Sequence, residues 1–158
     1  MKKIIFALLF IFFSSCSDDT SNNTPEFQAL LNGDTEWITD DFNATISNDQ
    51  LTIFGINGLG SINLNVYSPE IGEFNFYGNS SSSAIFQDDS LQYSTENFVP
   101  GSIGFHREGK LFITELSSEK KIISGHFHFD AFDFSGTITT NISQGIFYRI
   151  PFTFANQD

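Results

Sequence analysis

The chain has 158 residues, 19 of them acidic and 7 basic, for a formal charge of −12. That balance excludes ordinary nucleic-acid binding, which needs cationic side chains to displace phosphate counterions. The length sets one domain with one sizeable core. An aromatic share of 16%, with twenty Phe, separates the chain from acidic disordered tails.

Residues 1–15 read as an export signal. Met1-Lys2-Lys3 is a short cationic start, and residues 4–13 (IIFALLFIFF) are unbroken apolar sequence. A bilayer-spanning helix needs about 20 such residues, so the run suits a signal peptide better than a membrane span. Phe13-Ser14-Ser15-Cys16 resembles the bacterial lipobox, with Phe13 in place of the usual Leu. Cys16 is the only cysteine and has no disulfide partner within the chain. The resemblance implies that Cys16 is acylated and becomes the first mature residue. Two or more acyl chains make anchoring durable without any basic patch. Without Lys2 and Lys3, five basic residues face nineteen acidic ones, a charge of −14.

Ser17, Asp18 and Asp19 follow the cysteine and resemble the short acidic export signal of Bacteroidota lipoproteins. That likeness implies the outer membrane with surface display, the periplasmic face being the alternative. It also implies the export and acylation machinery as partners. Residues 16–25 have the polar composition of a flexible tether.

Residues 26–158 read as an all-β domain. Short alternating runs separated by turn residues predict strands at 27–30, 37–39, 42–46, 51–54 and 62–67. Asn32-Gly33 and Asn57-Gly58 are hairpin signals. Further strands are expected at 72–77, 84–87, 91–94, 103–105, 111–114, 122–134, 137–141 and 145–152. No segment sustains a helical period. About ten short strands fit a single antiparallel β-barrel or a two-sheet β-sandwich, and the pattern leaves both open.

Several of these pieces carry a family likeness. Phe27-Gln28-Ala29-Leu30-Leu31-Asn32-Gly33 with Trp37 resembles an opening F-x-A-x-x-N-G-x-x-W. Residues 48–54 (NDQLTIF) resemble a strand of the form g-x-L-t-I. Residues 109–116 (GKLFITEL) and 122–129 (IISGHFHF) resemble G-x-x-x-I-T-x-L and I-S-G-x-F-x-F. Gln144-Gly145-Ile146-Phe147 resembles a closing N-G-x-F, with Gln144 where Asn is commoner. His126 and His128 stand where Thr or Ser is more frequent. Together these segments are similar to a family of small Bacteroidota lipoproteins, domain of unknown function 6252, over residues 26–152. The resemblance implies export and an all-β fold, and it implies no activity.

Chemistry-bearing groups are few. His126 and His128 are two apart on an expected strand, so both face one side with Asp130. Two imidazoles and a carboxylate are ligands zinc accepts, which makes the three weak metal candidates. Alternation with Phe127, Phe129 and Ala131 equally predicts a solvated strand face, and His106 joins only if its strand is adjacent. Asp40-Asp41 and Asp88-Asp89 fall at turns, where Asp bonds its own backbone. There is no nucleophile elbow, calcium loop or phosphate-binding glycine loop. Trp37, Tyr67, Tyr77, Tyr93 and Tyr148 are the aromatics able to form a sugar-stacking platform, with Trp37 better read as core. Phe132 and Phe134 break parity with Phe127 and Phe129, so without a bulge they lie on the opposite face, where they would form an exposed apolar partner surface or contact a second layer.

The expectation is a lipid-anchored envelope protein that binds without catalysis and needs no cofactor. Its partner would be an extracellular protein, a glycan or a small apolar ligand. The alternatives are a structural envelope component and a hydrolase using carboxylates or the histidine pair.

Overall fold

The computed structural model describes residues 26–77, 80–97 and 108–155. Among them no helix forms, and eleven strands join into one sheet system. In chain order these are β1 (Phe27–Leu31), β2 (Thr35–Ile38), β3 (Asp41–Ser47), β4 (Gln50–Asn57), β5 (Gly60–Tyr67) and β6 (Gly72–Asn75). They continue as β7 (Ser83–Gln87), β8 (Gln92–Ser94), β9 (Gly109–Ser117), β10 (Ile122–Phe132) and β11 (Thr139–Phe154). The expected strand at 103–105 and His106 lie outside the described residues, as do the signal, Cys16 and the tether.

The order β2-β1-β11-β3-β4-β5-β7-β8-β10-β9-β6, with β10 also paired to β11, closes a circuit through seven strands. The closure is light on one side, where β8 meets β10 through the single pair Ser94 and Phe132. The β1–β2 hairpin extends β11, and β9 with β6 extends β10, as two wings. The architecture is therefore a partial barrel. One pairing departs from the antiparallel expectation: β11 runs parallel to β3 over Phe152–Phe154.

Turn chemistry sets the hairpins. Asn48 and Asp49, at φ 49° and 62°, connect β3 to β4, because both residue types tolerate the left-handed region. Asn32 and Gly33 do the same between β1 and β2, at φ 51° and 83°.

A single cluster fills the interior. Phe27, Trp37, Ile53, Leu64, Phe127, Phe129 and Phe147 are all buried within it. Phe27 sits between an edge-on Trp37 at 5.2 Å and an edge-on Phe127 at 5.7 Å, a geometry ring quadrupoles favour. The indole of Trp37 donates to the carbonyl of Gly60 at 3.0 Å, which ties the β1–β2 wing to the start of β5.

The longest strand contains the largest departure from the sequence pattern. Residues 137–141 and 145–152 read as two strands, yet β11 is continuous. Gln144 and Arg149 take φ values of 49° and 52°, and the β10–β11 register shifts opposite each. Each irregularity is a β-bulge that bends the strand without ending it. The bend lets β11 pair with β1 and β3 along one edge and with β10 along the other.

Candidate functional site

The site lies on the solvent side of β6, β9 and β10. Alternation puts Leu111 and Ile113 inward, with Lys110 and Phe112 between them facing out. On β10 the inward residues are Phe127, Phe129 and Ala131, and the outward row is His126, His128 and Asp130. The pairs Phe112–His126 and Lys110–His128 sit directly across from each other. Asn75 and Glu73 of β6 extend the same rows opposite Lys110 and Phe112.

Asn75, Tyr77, Glu108, Lys110, Phe112 and His128 line an open groove of about 620 Å³, with Gly109 at its floor. Gly109 has the inward parity of Leu111 and Ile113 on β9. A Cβ there would come within 3.0 Å of the Tyr77 ring and 3.1 Å of Phe129. Tyr77 is held in place because its hydroxyl donates to the carbonyl of Asp130. On the rim, Lys110 pairs with Glu73 at 2.8 Å. Phe112 and His126 stack with centroids 4.6 Å apart and planes 14° from parallel. The groove thus offers flat apolar rings beside an amide, an ammonium, a carboxylate and an imidazole.

The three metal candidates share one face, as the alternation predicts, but they do not converge. His126 is stacked on Phe112, and Asp130 accepts a bond from the Asn141 amide at 2.7 Å. Among the described residues no group of three or more His, Cys, Asp or Glu side chains is placed to hold a metal ion.

The aromatic platform is dispersed. Trp37 and Tyr93 are core residues, Tyr67 and Tyr148 lie exposed on other strands, and of the five only Tyr77 lines the groove. Burial, followed by the charges of Asp88 and Asp133, pushes the Tyr93 hydroxyl above its ordinary pKa. Asp88 accepts from the backbone of Ser90 and Leu91, both at 2.7 Å, so it serves its own turn.

The pair Phe132 and Phe134 divides. Phe132 is fully buried and is corrected from surface to interior, since its strand end pairs with both β8 and β11. Phe134 is 93% exposed. Between them Asp133 is buried, and its carboxyl is held down to about 2. The largest cause is the Ser135 hydroxyl, with the backbone N–H groups of Ile138, Thr137 and Ser135 adding to it.

Asn75, Glu108, Lys110 and Phe112 of the groove lining escaped notice in the sequence, the last two on β9. Both sit in an ordinary alternating strand, and only the register against β10 and β6 brings them to the histidines.

Fold and groove together define an all-β domain with an open aromatic and polar face. The chain matches the model for domain of unknown function 6252 over residues 23–151, and it belongs to that family. No curated protein and no solved structure matches it. Four of the five segments that carry the family likeness are neighbours in space, since β2, β1, β11, β10 and β9 stand side by side in that order; the fifth, residues 48–54, leads into β4, with β3 between it and β11.

Proposed function

We propose that this protein is a lipid-anchored, non-catalytic binding domain of the cell envelope, and that the groove on β6, β9 and β10 takes a glycan. The observation that carries this reading is the groove's composition. Sugar rings present apolar faces and a hydroxyl rim; Tyr77 and Phe112 suit the faces, while Asn75, Lys110 and His128 suit the rim. A volume of about 620 Å³ is ample for a short oligosaccharide. The site is open and built on paired strands, which favours binding an extended chain. The described carboxylate held down to about 2, Asp133, spends its lone pairs on its own loop, which gives no support to a carboxylate hydrolase.

The test is a glycan array probed with the full-length chain in detergent, beside Phe112→Ala and Lys110→Ala. The expected result is a set of related oligosaccharides bound by the wild type, with each variant losing about tenfold in affinity. Uniform absence of binding, or binding unchanged in both variants, removes the groove as a glycan site.

A further inference from the structure

The turn between β10 and β11 presents a side chain that the fold leaves in water. Phe134 is 93% exposed, and Ile138 on the same turn is 49% exposed. A phenylalanine in that position gains nothing for folding, because its apolar area stays hydrated. The backbone beneath it is tightly held. The Asp133 carboxylate accepts from the Ser135 hydroxyl at 2.6 Å and from the N–H groups of Thr137 at 2.9 Å, Ile138 at 2.8 Å and Ser135 at 3.3 Å. The Asp133 N–H donates to the Ile138 carbonyl at 2.9 Å, and the Gly136 N–H to the Asp133 carbonyl at 2.9 Å. The ordering cost that weakens most loop-mediated contacts is already met before anything binds.

Position and charge narrow what can bind. The chain enters the domain at Glu26, whose carbonyl accepts from the Tyr148 N–H at 2.7 Å. Phe147 at that level lies eight residues along β11 from Thr139, or about 27 Å at strand spacing. The Phe134 turn is therefore well away from Glu26, which stands level with the middle of β11. Among the described residues its charged neighbours are acidic: Asp34 in the adjoining β1–β2 turn, Asp130 on β10, and Glu96 just beyond the Ser94–Phe132 pair. The described cations stand elsewhere. Lys120 and Lys121 precede the far end of β10, Arg149 lies near that end, and Lys110 is paired with Glu73. An anionic membrane and a second copy of this acidic chain are both disfavoured at such a tip.

We propose that the Phe134 turn is a rigid docking anchor for a partner protein that presents an apolar socket with a basic rim. Phe134 fills the socket, Ile138 covers its edge, and the carboxylates of Asp34, Asp130 and Glu96 set orientation. Asp130 follows His128 in the outward row, so this surface adjoins the glycan groove, but Phe134 and Ile138 lie outside the groove lining and docking does not depend on glycan binding.

The test is photo-crosslinking in the protein's native cells, with p-benzoylphenylalanine replacing Phe134 in the full-length chain. The same replacement at Ile71, 65% exposed, is the control. The expected result is one discrete protein adduct from position 134 and none of that identity from position 71. Its yield falls several-fold when Asp34→Lys and Glu96→Lys are combined. The purified partner then binds the wild-type chain about tenfold more tightly than Phe134→Ala, and more weakly as salt rises. Because Phe134 is exposed, that variant keeps its fold. A lipid adduct, an adduct with a second copy of the chain or no discrete adduct each overturns the proposal. So does a partner indifferent to the charge reversals or to Phe134→Ala.

Discussion

Asp133 shows how one residue settles a local structure that its neighbours cannot. Its carboxylate gathers four donors from Ser135, Thr137 and Ile138, and these hold its pKa at about 2 against an ordinary 3.8. A depressed carboxyl stabilises the fold above its unfolded pKa, and that contribution is lost as pH falls through the folded value. The window is therefore pH 4 down to 2. Wild-type stability measured by denaturant midpoint should fall across that window, and Asp133→Asn should be less stable at pH 5 with a shallower acid dependence. Equal slopes in the two proteins would mean that the carboxylate is not bonded as described. The sequence shows a turn at Ser135-Gly136 but gives no sign that Asp133 organises it, because its partners lie two to five residues ahead. The same blindness affected Phe132. Parity set it on the face opposite Phe127 and Phe129, and only the pairing of its strand end with β8 shows that it is covered. His126, His128 and Asp130 were legible as one outward row. Their failure to meet as ligands was not, since stacking on Phe112 and the bond from Asn141 come from other strands.

At the level of elements, the family-like segments turn out to encode packing. Ser124 of the Ile-Ser-Gly run accepts from the Arg149 N–H at 2.9 Å, which fixes the second bulge of β11, and it donates to Glu115 at 3.0 Å. Gly125 follows because a Cβ there would lie 2.1 Å from the Phe112 carbonyl and 2.4 Å from the Phe147 ring. Gly145 is required in the same way, with the Phe127 ring at 2.5 Å. Gln144 sits at φ 49°, a region Asn enters several-fold more readily than other side chains. That explains why a closing N-G-x-F suits this position. Gln144→Asn should therefore stabilise the domain by about 0.5–1 kcal/mol, read as a rise in the denaturant midpoint. A loss of stability would show that the Gln144 side chain does more than tolerate the bulge. Strand existence was well marked in the sequence, since alternation and turn residues are local. The bulges were not, because Ser143-Gln144-Gly145 has the composition of a turn and only pairing to β1 and β10 keeps the strand going.

For the whole molecule, the open choice between barrel and sandwich resolves into a partial barrel with two wings. The circuit was unreadable in the sequence: it depends on a parallel contact between β11 and β3 and on one pair between β8 and β10. The result is a protein with one shared core and two separate outward features. One is the groove on β6, β9 and β10; the other is the Phe134 turn, well away from Glu26. The proposed binding role has the N-terminal side of the domain tethered through acylated Cys16 while both surfaces stay free, and that anchor is what the proposal rests on. The direct measurement is metabolic labelling of the full-length chain with a clickable fatty acid, beside Cys16→Ala. Label is expected on the wild type and none on the variant. An unlabelled wild type, or label that persists without Cys16, would contradict it.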